Sequence, residues 1–155
     1  MAKGSEQDRN TAARNKKAFR DFFILDSFEA GIVLKGSEVK SVREHKVNLK
    51  DSYARIRDGQ LYIYNMHISP YHKSRVEETE PKRARKLLMH RKEIDRLSGK
   101  LTDKSLTIVP LEVYFRKNKV KLELALAKGK LKRDKRRQIK EKEMQREMKR
   151  ALKYR

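Results

Sequence analysis

Alternating apolar residues over 120–126, an Asp-Gly pair between two apolar runs, and one longer stretch of helical periodicity predict a mainly β fold. Several short strands with a closing helix between the earlier and the later ones suit a small closed barrel, OB-fold-like (oligonucleotide-binding), in which the helix plugs one end. A ferredoxin-like sandwich comes second. It needs two βαβ crossovers with longer helices, and the chain offers one long helix.

The strands begin with Phe22-Phe23-Ile24-Leu25 and then Ala30-Gly31-Ile32-Val33-Leu34, the latter stopped by Gly36. Residues 53–57 and 61–66 flank Asp58-Gly59, two residue types that tolerate the positive φ of a tight hairpin turn. Residues 106–115 and 120–126 are joined by Arg116-Lys117-Asn118-Lys119. In the last run Val120, Leu122, Leu124 and Leu126 alternate with Lys119, Lys121, Glu123 and Ala125, the period of a strand with one buried face. Pro110 has no amide hydrogen to donate to a ladder, so an edge or a bulge is expected there. Between residues 81 and 99, Ala84, Leu87, Leu88, Ile94 and Leu97 fall near helical spacing. Pro81 suits the first turn of that helix and Gly99 its C-terminal cap. A shorter helix is expected over residues 38–44, with Ser37 as its N-cap.

The chain of 155 residues allows one domain with appendages: a flexible polar leader over 1–18, a barrel over 19–130 and a basic tail over 131–155. From Lys128 onward fourteen Lys and Arg stand against four acids, which is +10 of the formal net charge of +21. Such a segment buries too little apolar surface to fold alone, yet it has no Gly or Pro after Gly129 and is composed of helix formers. It is expected to stay disordered until it meets a polyanion. The remaining +11 makes the body basic too, and a basic body with a basic arm points to nucleic acid. No run of 18 apolar residues and no signal-peptide core argue for a membrane. Zero Cys excludes disulfides, thiolate zinc sites and cysteine catalysis, and fits a reducing cytosol.

Three clusters are candidates for function. Glu29 and the segment Lys35, Glu38, Lys40, Ser41 and Arg43 mix cations for phosphate with carboxylates that could accept from guanine or cytosine donors. Surface salt bridges from Glu29 and Glu38 to neighbouring lysines are the plainer alternative. In the second cluster Arg85 and Lys86 precede Leu87-Leu88, and His90 follows. An exposed Leu88 beside His90 could pack on an unstacked base; otherwise both leucines are core and His90 is solvated. Tyr62 and Tyr64 share one face, opposite Leu61 and Ile63, either as stacking platforms or as a wet rim, with no further aromatic obviously completing a row. For an enzyme no constellation is found: His45, His67, His72 and His90 lack metal-ligand spacing, and there is no phosphate loop or nucleophile elbow. An acid-base site of His67 and His72 with Asp51 and Ser52 would have to be assembled by folding. No metal or cofactor is expected.

Taken in order, Gly31-Ile-Val-Leu-Lys-Gly-Ser-Glu-Val-Lys-Ser-Val-Arg43, Asp51-Ser-Tyr53, His67-Ile-Ser-Pro-Tyr71, Arg85-Lys-Leu-Leu-Met-His-Arg-Lys-Glu-Ile94 and Ala127-Lys-Gly-Lys130 with Asp134-Lys-Arg136 resemble the small protein B family. These are the SsrA-binding proteins, which bind transfer-messenger RNA (tmRNA) in bacterial trans-translation. The resemblance implies an OB barrel with about three helices, no catalytic activity, a cytoplasmic location in bacteria and a monomer. It implies tmRNA contacts by Glu29, Leu88 and His90, with Lys35, Glu38, Lys40, Ser41, Arg43, Arg85, Lys86 and Lys128 around them. The tail residues Lys130, Lys132, Arg133, Asp134, Lys135, Arg136, Arg137, Lys140, Lys142 and Arg146 would meet the small ribosomal subunit at its decoding centre and empty mRNA channel. Elongation factor Tu and alanyl-tRNA synthetase would be partners through tmRNA. Two departures from the family pattern are Leu131, where another Lys is usual, and Arg133, where an aromatic or His often stands. A ribosomal or ribosome-assembly protein would share the charge and the tail, and a nuclease is a third class.

Overall fold

The computed structural model describes residues 9–73 and 79–154; the first eight residues of the expected leader lie outside them. Order begins earlier than the composition suggests. The small residues of β1 (Asn10–Arg14) pair antiparallel with β8 (Leu106–Arg116), and α1 (Lys16–Asp21) follows at once. Asn15 starts that helix: its side-chain oxygen accepts from the Ala18 amide at 3.2 Å while its Nδ2 donates to the Pro110 carbonyl at 2.9 Å. Ala18 then packs with Val109, Leu111, Ala125 and Ala127 in a small apolar cluster of its own. The helix is too short and too charged to show a periodicity, which is why sequence reading passes over it.

The two apolar runs of residues 22–25 and 30–34 are one strand, β2 (Phe22–Ile32), kinked by a register shift between Ile24 and Asp26. After it come α2 (Gly36–Arg43), β3 (Val47–Asn48), β4 (Tyr53–Arg57), β5 (Gln60–Tyr64), β6 (His67–Ile68) and β7 (Arg85–Leu88). The chain continues through α3 (Arg91–Lys100) and β8 into β9 (Lys119–Gly129) and α4 (Lys132–Lys153). The Asp-Gly hairpin forms as expected, with Asp58 at φ 51° and Gly59 at φ 73°. Lys117 and Asn118 make an equivalent turn between β8 and β9, at φ 49° and 62°. Positive φ at both central residues matches the twist of the flanking strands. The ladder beside Pro110 shifts register before Glu112, a bulge where the missing amide hydrogen predicts one.

The long helix expected over residues 81–99 is half strand. Arg85, Lys86, Leu87 and Leu88 alternate buried and exposed in β7, and only from Arg91 does the chain turn helical. The alternation is hidden in sequence because one inward-facing residue is an arginine. Gly99 lies inside α3, and Leu101 is its C-cap. The short helix begins one residue before Ser37, with Lys35 at the cap position.

All pairings are antiparallel: seven strands run in the order β1-β8-β4-β5-β7-β2-β9, β8 also pairs with β9, and β3 pairs with β6 in a separate small sheet. The ladder that leaves β8 through β4 therefore returns to it through β9. Leu61, Ile63, Leu87, Ile108, Leu122 and Leu124 fill the inner faces, each 1% exposed or less. Burying each such side chain stabilises the fold by about 1.5–3 kcal/mol. Leu97 of α3 joins this cluster. The tail, expected to be disordered, is the 22-residue helix α4 with no buried residue. Its first half leans on the body: Lys135 pairs with Asp21 at 3.3 Å, Lys130 donates to Gln138 at 2.7 Å, and Ile139 and Lys142 face α1 across a cleft.

Candidate nucleic-acid interface

Strand β2 runs between β7 and β9, and the two registers place Leu88 and Lys121 on either side of Gly31. A Cβ on Gly31 would stand 3.3 Å from the Leu88 Cβ and 3.8 Å from the Lys121 Nζ. The bare backbone lets both side chains crowd over the strand. Leu88 is 52% exposed while Leu87 is 1% exposed, so the leucine pair splits between surface and core.

Glu29 lies on the same outward face, two residues before Gly31 and opposite Glu123. One of its oxygens, Oε2, accepts from the Tyr114 hydroxyl and from Arg116 Nη1 at 3.2 Å. Tyr114 is fully buried; the Arg9 guanidinium covers its ring at 4.4 Å and itself bonds Glu123 at 2.9 Å. Burial alone would push the Glu29 carboxyl up. The Tyr114 hydroxyl, Arg116 and the charge of Lys121 outweigh it and hold the group below the usual carboxylate range. Burial and the Glu29 charge both push Tyr114 up, so its hydroxyl keeps its proton and donates. Glu29 is thus an oriented carboxylate whose Oε1 accepts no hydrogen bond among the described residues, and it can receive the N–H groups of a base edge. Its partners are a tyrosine and an arginine 85 and 87 residues away, not neighbouring lysines.

Glu38, Ser41 and Arg85, expected at the surface, are inside. Their exposures are 3%, 0% and 0%. Arg85 bonds Glu38 Oε2 at 2.6 Å, the Met66 carbonyl at 2.6 Å and the Pro81 carbonyl at 2.9 Å. Glu38 also accepts from the Lys35 amide at 3.0 Å and from Arg83 Nε at 3.2 Å. Burial pushes the Glu38 carboxyl up, but Arg83, the Lys35 amide and Arg85 together hold it below its ordinary value. Burial lowers the Arg85 guanidinium, and Glu38 only partly offsets this. The triad ties α2 to β7 and so fixes the strand that carries Leu88.

Lys35, Lys40, Arg43, Lys86, His90 and Lys128 are exposed. Lys40 lies over the Tyr71 ring at 5.4 Å, Arg43 over Phe115 at 5.5 Å, and His90 caps α3. Lys128 sits at the far end of β9 from Lys121, so the fold does not gather it with Glu29 and Leu88. In the tail Lys132, Arg133, Arg136, Arg137, Lys140, Lys142 and Arg146 are exposed, and Asp134 and Lys135 are half-buried. Asp51 pairs with Lys17 at 2.9 Å rather than with a histidine, and no metal-binding cluster occurs among the described residues. No described helix is long and apolar enough to cross a membrane. Sequence reading missed Tyr114, Arg116 and Arg9 as supports of Glu29. Residues 106–115 read as an apolar strand run without alternation, so nothing local marks Tyr114.

A basic, mainly β chain that presents an ionised carboxylate, a bare leucine and lysines on one sheet face defines a nucleic-acid-binding protein. The family model described as SmpB protein matches residues 12–154, and the chain belongs to that family. The chain is 54% identical over 143 residues to the SsrA-binding protein of Carboxydothermus hydrogenoformans, covering 92% of this chain and 96% of that protein. It is 54% identical over 138 residues to the SsrA-binding protein of Geobacter sulfurreducens, covering 89% and 90%. A solved structure described as "tmRNA-SmpB: a journey to the center of the bacterial ribosome" superposes with a TM-score of 0.66 at 47% identity, over 77% of this chain and 85% of that one.

Proposed function

We propose that this protein is a non-enzymatic adaptor that binds tmRNA and delivers it to stalled bacterial ribosomes for trans-translation. The observation that carries the reading is the face where Glu29, held ionised with Oε1 unpaired among the described residues, lies near the exposed Leu88 over Gly31, on a chain of the SmpB family. Glu29 accepts from base donors, Leu88 packs on an unstacked base beside His90, and Lys35, Lys40, Arg43, Lys86 and Lys128 meet phosphates. Glu38 and Arg85 act from beneath by tying α2 to β7, and Ser41 is buried beside them on α2.

The ladder from β8 around to β9 is read as a closed OB-type barrel over residues 19–130, with the segment before it now contributing β1 and α1. The tail over 131–155 enters the vacant mRNA channel. Its helix has no buried residue and only its first half leans on the body, so anionic walls supply what the free protein lacks. Elongation factor Tu and alanyl-tRNA synthetase act through the bound tmRNA, and the protein works as a cytoplasmic monomer.

Sequencing the RNA that co-purifies with tagged protein should return one abundant tRNA-like RNA. Glu29→Ala with Leu88→Ala should lose it while keeping the fold. Deleting residues from Arg137 onward should leave tmRNA affinity nearly intact and abolish tagging on stalled ribosomes. Ribosomal RNA in stoichiometric amount would instead mark a permanent ribosomal component, and equal loss of binding in both variants would refute separate roles for body and tail.

A further inference from the structure

Strands β4, β5 and β7 contain no acidic residue, and their outward side chains are Tyr53, Tyr62, Tyr64, Arg55, Arg57 and Lys86, with Gln60 and Leu88 at strand ends. Tyr53 pairs across the hairpin with Tyr64, and the rings stack with centroids 5.5 Å apart and planes 20° apart. The Arg55 guanidinium lies over the Tyr53 ring at 5.1 Å, and Tyr62 stands opposite Arg55. The row that Tyr62 and Tyr64 begin is thus completed by Tyr53, which the hairpin register brings back from nine residues or more away. On the β7 side the register runs Tyr62 with Lys86 and Ile63 with Arg85. Continued by one residue, that register would set Ala84, exposed and carrying only a methyl, in line with the half-buried Tyr64.

A cross-strand tyrosine pair stabilises a hairpin by itself. That role does not call for Arg55, Arg57 and Lys86 around it with no ion-pair partner among the described residues. Half-exposed rings with such cations and no carboxylate on the same strands match the chemistry of unpaired RNA: π-faces for bases and positive charge for the phosphates between them. The face is also continuous with the interface above, because β7 carries Lys86 next to the tyrosines and Leu88 next to Gly31.

We propose that the outer face of β4 and β5 is a second RNA-binding site, a stacking platform on which Tyr62 and Tyr64 hold unpaired nucleotides of the RNA gripped beside Leu88. The proposal rests on the adaptor reading and extends it from the folded RNA to a single-stranded stretch of the same molecule. A base stacks on Tyr64 beside Ala84, and Lys86, paired with Tyr62, meets an adjoining phosphate.

The test uses the full-length protein and labelled hexauridylate, in about 0.3 M salt so that exposed charges alone hold little. Tyr64→Ala and Tyr62→Ala should each weaken binding about tenfold, the effect of losing one base stack, and Tyr64→Phe should stay within about twofold of wild type. Photo-cross-linking of a 5-iodouridine hexamer to the unmodified protein, read by mass spectrometry, should mark Tyr62 or Tyr64, and this arm does not depend on any variant folding. Affinities unchanged in both alanine variants, or cross-links confined to α4, would overturn the platform. Glu29→Ala should weaken binding of a folded tRNA-like RNA and leave hexauridylate affinity unchanged. If it leaves both unchanged while the tyrosine variants fail on hexauridylate, the adaptor reading falls and the platform stands.

Discussion

Glu38→Gln is the perturbation that most directly tests how the interface is held. Arg85 is fully buried, and of its three acceptors only Glu38 carries charge. The amide keeps the shape of the side chain but not its charge, and it must turn its NH2 toward either Arg83 or Arg85, which bond different oxygens of Glu38. Removing one partner of a buried pair costs about 3–5 kcal/mol. Arg83, with its side chain 25% exposed, can swing into water and lose little, so the low end of that range, about 3 kcal/mol, is expected. For a body of this size that lowers Tm by about 10 °C, with the urea m-value unchanged. Replacing the pair together, Glu38→Leu with Arg85→Met, should recover most of the loss, because it removes both charges from the interior. The pH dependence has a definite sign. Glu38 is depressed in the folded state, so its contribution is complete above the ordinary carboxylate range and is lost as pH falls through the folded value. Glu38→Gln should flatten that acid limb. A variant melting within about 2 °C of wild type would show that the triad contributes little and that β7 is held by its ladders alone.

Other consequences are open to direct measurement. Tyr114→Phe removes the hydroxyl that Glu29 accepts from, so the Glu29 carboxyl, followed by carbon NMR, should titrate at a higher pH than in the wild type and bind RNA less well. An unmoved midpoint would assign the depression to Arg116 and Lys121 alone. Gly31→Val drives a branched side chain against the Leu88 Cβ and should cost about 1–3 kcal/mol of stability by overpacking, with weaker RNA binding at temperatures where the fold persists. Amides of α4 beyond Met144, where Met144, Met148 and Leu152 are exposed, should exchange nearly as fast as in an unfolded peptide and become protected on adding RNA. Protection of those amides in the free protein comparable to that of β9 would refute a tail that waits for its partner.

Much of this molecule is legible wherever a local rule has no competitor. Val120 to Leu126 alternates cleanly and is a strand; Asp58-Gly59 has the left-handed turn its residue types allow; Pro110 sits at a bulge because it has no hydrogen to give. The reading fails where a tertiary contact changes what a residue is for. Residues 85–88 look helical because Arg85 breaks the apolar alternation, yet a buried carboxylate makes that arginine an inward-facing residue of a strand. Residues 10–18 look like part of a loose leader because β1 and α1 are short and depend on β8 for their burial. For the site, the motif around Glu29, Leu88 and His90 is visible as residue types, but the state of Glu29 depends on Tyr114 and Arg116, far away in the chain.

The sequence by itself determined the charge, the β-rich class, the hairpin, the family and the cationic arm, because these follow from composition and from neighbours within a few positions. Only the tertiary structure decided which carboxylate faces solvent and which is sealed in with arginines, and that Tyr53 completes the row begun by Tyr62 and Tyr64. Burial and register are properties of pairs of segments, and no single segment carries them.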